Sequence, residues 1–462
     1  MHKDNRRKKV RDSLAFGALI LCFGLLGAVN MMMRPTSHSI GRIFDLPLGG
    51  SGDAVVFRSM CLTFLLLALP AVLVVRRYGF KNGVVMGLMV FAAGTLTFIP
   101  ATQMCTFGPF VLGYTLILCG SLLINVSATP YVLTYGSRRK SLFRLMLCQT
   151  MIVVGWLVGN FLSCVYQGKG VSGQDLTNMM QLDHISGSLA QREELLSLST
   201  PLLAVGAVAT ALIIILGSTA MFDRPQDECA RDAGIGQIFR KLLSDRAFLL
   251  GTVCQLCYMT AQTLCWSSII SYGVNTIMET EEGLSRTEAN ATAVEYVTGG
   301  VIVFGVCRLI WTIVAGVKTV RPSAALKVSG IAASVLCAAS LFLERYMGLL
   351  CMIGVSAFMS IMYPTIYYLS VRRQNISGIQ IGTAFQVMCV MGGLATRKLM
   401  PTGDNGETVV QALLLALFGC VAAYGWWCQK RGVGTLAPPP RAKRSMRSRT
   451  PGCADHRQET YL

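Results

Sequence analysis

Leu62-Thr63-Phe64-Leu65-Leu66-Leu67-Ala68-Leu69-Pro70-Ala71-Val72-Leu73-Val74-Val75 is an apolar run that stops at Arg76-Arg77-Tyr78-Gly79-Phe80-Lys81 and resumes at Val84. A long apolar run, a short basic connector and a second long run describe a chain that crosses a bilayer and turns back. The same rhythm recurs from end to end. Hydrophobic residues make up 53% of the chain and charged residues 14%, and mean hydropathy is +0.54. Soluble chains carry about a quarter charged residues. Here charge is confined to connectors, because a charge in hydrocarbon costs about 2.5–3.5 kcal/mol even on permissive scales.

A helix needs about 20 apolar residues to cross a core about 30 Å thick. Runs of that kind lie near 13–33, 54–75, 84–103, 107–134, 142–166 and 199–222, and again near 247–277, 293–316, 324–343, 347–371, 378–399 and 408–428. The expected fold is therefore all-α and polytopic, with about twelve transmembrane helices. Strands of a membrane barrel would be near ten residues with alternating polarity, which these runs are not.

Every even-numbered connector is basic. Lys3, Arg6, Arg7, Lys8, Lys9 and Arg11 precede the first span. Arg138, Arg139 and Lys140 follow the fourth, and Arg231, Arg240, Lys241 and Arg246 the sixth. Lys318 and Arg321 follow the eighth, Arg372 and Arg373 the tenth, and Lys430, Arg431, Arg441, Lys443 and Arg444 the last. The opposite side carries Asp175, Asp183, Glu193, Glu194, Glu279, Glu281 and Glu282. The positive-inside rule then puts both termini in the cytoplasm, with the plasma membrane as the expected location and an internal membrane as the alternative. The net charge of +18 follows from this topology. Nucleic-acid binding is set aside, because the charge is divided among connectors instead of forming one face.

The polar connector at 223–246 divides the chain into two six-helix halves. The expected organisation is a cytoplasmic N-terminus at 1–12, a bundle at 13–222, the linker, a bundle at 247–428, and a basic disordered tail at 429–462 containing Ala437-Pro438-Pro439-Pro440-Arg441. Two such halves around a midplane site suit a solute transporter. The first run is too long for a signal-peptide core and reads as a span. A helical stretch at Leu189–Leu196 is expected on the surface of the outer loop, and the sequon Asn290-Ala291-Thr292 in another outer loop. The 17 Cys lie mostly within spans as small apolar residues. Cys254 and Cys257 stand one helical turn apart, with no second pair or His ligands nearby. No metal, cofactor or enzyme site is expected: the four His are unpaired at ligand spacing, and no Ser/His/Asp arrangement stands out.

Several blocks resemble the L-fucose:proton symporter family of the major facilitator superfamily. Ala261-Gln262-Thr263-Leu264-Cys265-Trp266-Ser267 is similar to that family's seventh-helix motif, and Ser356-Ala357-Phe358-Met359-Ser360-Ile361-Met362-Tyr363-Pro364-Thr365-Ile366 to its tenth. Phe143-Arg144-Leu145 with Gln149-Thr150 resembles its fifth helix, Tyr296-Val297-Thr298-Gly299 with Arg308 its eighth, and Gly392-Gly393 after Phe385 and Met388 its eleventh. Arg76-Arg77-Tyr78-Gly79-Phe80-Lys81 is a partial match to the superfamily loop, with Arg where that signature usually has Asp. The resemblance implies carriage of a hexose or deoxyhexose, commonly with protons, by alternating access. A sugar substrate, the lipid bilayer and protons are the partners it implies.

Departures from the family pattern point to energy coupling. The family's first-helix acid follows an Asn; here Asn30 is followed by Met31. Its second acid lies five residues before a Pro; here that position is Asn125, before Pro130. Ile152 replaces an Asn three residues after Gln149. With no carboxylate well inside a span, facilitated transport is the expectation. Coupling through some other group is the alternative, with Glu295, at the outer end of the eighth span, the nearest candidate.

The candidate site residues each carry a second, plainer reading. Asn30, Asn125 and Gln149 either line a central cavity or join helices by hydrogen bonds. Gln262 and Trp266 are four residues apart and share one helical face. An amide to pair sugar hydroxyls and an indole face for ring C–H groups suit a sugar, while Trp266 as packing is the alternative. Tyr363 before Pro364 marks a gating kink or a structural one. Arg308 reads first as part of a structural network near the cytoplasmic side and second as a ligand contact. Gln386 is a further cavity candidate. A non-transporting sensor or chaperone-like member of the same fold is the alternative function.

Overall fold

The computed structural model describes residues 2–44, 52–167, 184–219, 234–280, 285–318, 320–343, 345–393 and 406–434. The Pro-rich tail, most of the linker and the polar stretch at 168–183 lie outside the described residues. Thirteen α-helices run through the described residues. The first half contains α1 (His2–Ile43), α2 (Gly52–Leu96), α3 (Phe98–Met104), α4 (Phe107–Thr134), α5 (Ser141–Gln167) and α6 (His184–Ser218). A short α7 (Ile235–Ser244) leads into the second half: α8 (Arg246–Thr280), α9 (Arg286–Val317), α10 (Pro322–Phe342), α11 (Arg345–Val371), α12 (Ile376–Met388) and α13 (Gly406–Lys430).

Ten helical segments of the described residues are long and apolar enough to cross a membrane. One of them, Leu62–Met104, is 43 residues long and contains two of the expected spans. Gly79 divides it, with φ 88° and ψ 168°, a region open essentially to glycine alone. The shorter apolar segment Ile376–Met391 supplies the eleventh span. All twelve expected crossings are thereby accounted for.

Basic connectors gather at one end. Lys81 Nζ donates to the carbonyls of Gly217 and Thr219 at 3.1 and 2.6 Å, capping the C-terminus of α6. A cation there also complements the helix dipole. Arg372 and Arg373 donate to the carbonyls of Gly434 and Arg431, and Gln374 donates to Asp245 at 2.6 Å. This basic end unites the connectors that follow spans two, six, ten and twelve.

Within each half, helices approach until their backbones touch. A Cβ on Gly155 would collide with the Gly24 carbonyl, and one on Gly159 with that of Ala28, so α5 lies directly on α1. Gly87 and Gly120 do the same for α2 on α4, and Gly330 and Gly425 for α10 on α13. Small residues at such crossings replace the hydrophobic effect, which lipid cannot supply between helices.

Two expectations change. Leu189–Leu196 is not a separate surface helix but the first part of α6, which runs through Pro201 without a break. Ser197 Oγ donates to the Tyr166 carbonyl across to α5, tying this polar extension to its neighbour. Asn290 lies in α9, exposed, and not in a loop. A capping box of Ser285 and Glu288 starts the helix well before the apolar run.

Candidate functional site

The two halves meet along two seams, α12 against α2 and α4 on one side and α5 against α9 on the other, and the candidate residues gather at the second. At the basic end the ring of Phe143 lies 2.9 Å from where a Cβ on Gly316 would stand. Two turns further in, the hydroxyls of Thr150 and Thr312 share a hydrogen bond of 2.8 Å. Higher still, three aromatic rings close together. Trp156 stacks on Phe304 with centroids 5.9 Å apart and meets Trp266 edge-on at 5.9 Å. Trp266 meets Phe304 edge-on at 5.5 Å, and its Nε1 donates to Ser356 Oγ at 3.3 Å. Trp156 comes from the first half and the other two rings from the second, so the cluster exists only while the halves are together here.

Arg308 lies one turn from Phe304 toward the basic end. Lys318 is ten residues further along the helix, about 15 Å at 1.5 Å per residue, which puts Arg308 near the middle of a core about 30 Å thick. Its side chain is 5% exposed. Nε donates to the Ser360 carbonyl at 2.7 Å, Nη1 to the Gln149 carbonyl at 3.4 Å, and the guanidinium lies 4.6 Å from the Phe304 ring centroid. Nη2 is buried without a hydrogen-bond partner among the described residues. Pro364 explains the first contact. A proline has no N–H to give to the residue four before it, so Pro364, inside α11, leaves the Ser360 carbonyl open for Arg308.

Gln149 and Gln262 are 4% and 7% exposed. Gln149 touches Arg308 through its backbone carbonyl, and neither side-chain amide is hydrogen-bonded among the described residues. Gln262 sits one turn below Trp266 on the same face of α8. Tyr363 has its ring 6.5 Å from that of Tyr258, whose hydroxyl donates to the Met359 carbonyl at 3.0 Å. Gln386 donates to Thr252 Oγ1 at 3.1 Å while its Oε1 is buried without a hydrogen-bond partner among the described residues. Thr252 is ten residues before Gln262, so Gln386 sits about 15 Å closer to the basic end.

The remaining candidates share no hydrogen bond or ring contact with this cluster among the described residues. Asn125 is half-buried and accepts a hydrogen bond from Thr129 one turn along its own helix, at 2.9 Å. Asn30 is exposed near the end of its span that lies away from the N-terminus. Glu295 is exposed and 13 residues from Arg308, about 20 Å along α9.

Sequence reasoning passed over Trp156 and Phe304. Trp156 is seven residues, or two turns, beyond Gln149, and Phe304 is four before Arg308. Helical phase from those two polar residues would have found both. It also passed over Gln255 and Gln380, which are fully buried with both amide atoms unpartnered among the described residues.

No family model matches the chain. The L-fucose-proton symporter of Escherichia coli (strain K12) is 27% identical over 334 residues, covering 71% of this chain and 73% of that protein. The L-fucose-proton symporter of Haemophilus influenzae is 25% identical over 417 residues, covering 87% and 94%. A glucose/galactose transporter of Brucella abortus is 26% identical over 366 residues, covering 78% and 82%. Among solved structures, a variant of the Escherichia coli fucose:proton symporter aligns with a TM-score of 0.78 at 22% identity, over 89% of this chain and 98% of that one. A major facilitator superfamily transporter in the outward conformation aligns with a TM-score of 0.77 at 23% identity, over the same shares of 89% and 98%. Fold, crossings and relatives agree: the chain is a multi-pass membrane protein with the fold of the fucose:proton symporter, and its sequence is similar to L-fucose-proton symporters and glucose/galactose transporters.

Proposed function

We propose that this protein carries a hexose or deoxyhexose across the membrane by alternating access. The observation that supports this best is the cluster of Trp156, Trp266 and Phe304, assembled from both halves at mid-depth above the α5–α9 seam. Gln149 and Gln262 bring amides without hydrogen-bond partners to the same region, so ring C–H groups meet an indole face and hydroxyls meet amides. Closure of the seam from Phe143 up to Trp156 blocks the path toward the basic end. The basic end is the cytoplasmic one by charge, so the site faces outward in this arrangement, both termini are cytoplasmic, and the plasma membrane is the natural location. Cysteine accessibility at Arg138 and Arg231 tests that orientation; reaction with an impermeant reagent outside the cell would reverse it.

Transport is proposed to be downhill. Met31 and Asn125 stand where the family has acids, and neither titrates near neutral pH. Glu295 is too exposed and too far from the cluster to replace them. The deciding experiment is uptake of radiolabelled L-fucose, D-galactose, D-glucose and D-arabinose into proteoliposomes. Saturable, mutually competitive uptake of at least one sugar is expected; a flat response across the panel and its acidic derivatives ends the transporter reading.

A further inference from the structure

We infer that the preferred cargo is an anionic sugar, a hexuronate or similar monosaccharide acid, whose carboxylate is taken by Arg308. This rests on the transport reading above and names its substrate class. The starting point is a charge without a counter-charge. Arg308 is 5% exposed near the middle of its span, where ionisable groups are expected to pair or to serve transport. Among the described residues no carboxylate reaches it. Residues 54–174 contain neither Asp nor Glu, and neither do 296–343 or 345–403. The helices around Arg308 are thus empty of acids at its depth: α5 and α11 have none, and α8 has only Glu279 in its last turn. Its electrostatic neighbours are the phenols Tyr258 and Tyr363.

The guanidinium is partly used and partly open. Nε is committed to Ser360 at 2.7 Å. Nη1 reaches Gln149 only at 3.4 Å, near the limit of a useful hydrogen bond. Nη2 is buried and has no hydrogen-bond partner among the described residues. An open Nη2 beside a loosely held Nη1 suits the two oxygens of a carboxylate, which arginine binds in a fork. Burial of a carboxylate here neutralises a cation already committed to the interior, so the acid relieves a cost where a neutral sugar cannot. The remainder of the ligand then meets Gln149, Gln262 and the three rings, as proposed for a neutral sugar. The position of the acid group, one helical turn below the aromatic cluster, fits a carboxylate carried on a pyranose ring and pointing toward the basic end.

The test is competition on the full-length protein in nanodiscs and proteoliposomes, with chloride replaced by methanesulfonate. D-glucuronate and D-galacturonate are compared with D-glucose and D-galactose as ligands and as transported solutes. At least one uronate is expected to bind and compete at least about tenfold better than its parent sugar, the scale of a charge-assisted pair. Arg308→Gln is expected to bring that ratio to about one and Arg308→Lys to restore part of it, as a point charge without the fork does. Neutral sugars that are carried while uronates neither compete nor move overturn this inference and leave the transport reading standing. Neutral-sugar binding that requires chloride places an inorganic anion on Arg308 and also overturns it. Failure of both sugars and uronates to bind or move ends the two readings together. The wild-type comparison decides the matter even if the Arg308 variants do not fold.

Discussion

Helix α5 has two contact faces, and they are built on opposite principles. Toward α1 it presents Gly155 and Gly159, which lie on backbone carbonyls with no room for a methyl group. Toward α9 it presents Thr150, Val153 and Trp156, which touch Thr312, Gly305 and Phe304 through side chains. The first contact lies within one half and has no slack. The second lies between halves and consists of a hydroxyl pair, a ring stack and a guanidinium held by two carbonyls. A rigid-body carrier needs this division, since the contacts inside each half must persist while those between halves break and reform. One helix, read on two sides, separates the frame from the moving joint.

The largest effect is expected from Gly155→Leu. The added side chain has only α1 backbone to meet, and overpacking costs about 1–3 kcal/mol or more. Loss of monodisperse protein or a clear fall in Tm is expected; an unchanged Tm would show that α1 and α5 are not in backbone contact. Next come Gln149→Leu and Gln262→Leu. Each removes an amide from the proposed site while keeping volume, so transport or ligand binding should weaken about tenfold with expression unchanged, the size of one lost polar contact. Normal kinetics in both variants would take these residues out of the site.

A third expectation concerns coupling. An imposed pH gradient should not concentrate solute in proteoliposomes, whereas counterflow should persist without one. Strong proton-driven accumulation that survives Glu295→Gln would show that coupling passes through a group other than the acids missing here. The smallest effect is expected from Thr150→Val. It removes one interhelical hydrogen bond, a loss of about 0.6–2 kcal/mol, from the joint alone. Stability should fall by no more than that amount, while a cysteine placed at Phe143 should become more reactive as the basic end opens more often. A fall in Tm with no change in reactivity would assign the hydroxyl pair to the frame.

Most of the fold could be read from the chain, because bilayer thickness fixes span length and hydrocarbon drives charge into connectors. Leu62–Lys81 shows this well: an apolar run, a basic turn, and a glycine at the only position with φ near +88°. The boundaries at 189–196 and 290 could not be read in the same way. Polar helix beyond the membrane carries no apolar signal, and Ser285 with Glu288 starts a turn that hydropathy does not register. The site was legible by type and only partly by position. Gln262 and Trp266 share a face by their spacing alone, and Arg308 stands out as a charge among apolar neighbours. Asn125 could not be placed so simply, since the Thr129 hydroxyl one turn away occupies its amide oxygen. Nor does spacing reveal that Trp156 crosses to the other half, because that depends on how two bundles meet.

The carbonyls around Arg308 act as a solvation shell assembled from backbone. One belongs to Ser360, released by Pro364 in the second half, and the other to Gln149 in the first. Such a shell depends on the state of the carrier: when the α5–α9 seam parts, the second half keeps its carbonyl and the Gln149 contribution withdraws. An empty carrier must then reorient with its buried cation less well solvated, whereas a loaded one brings its own oxygens along. Under the proposed site, the return of the empty carrier is expected to be the slow step of the cycle. Exchange of solute across the membrane should therefore outrun net flux, so the protein would equilibrate pools faster than it fills or drains them.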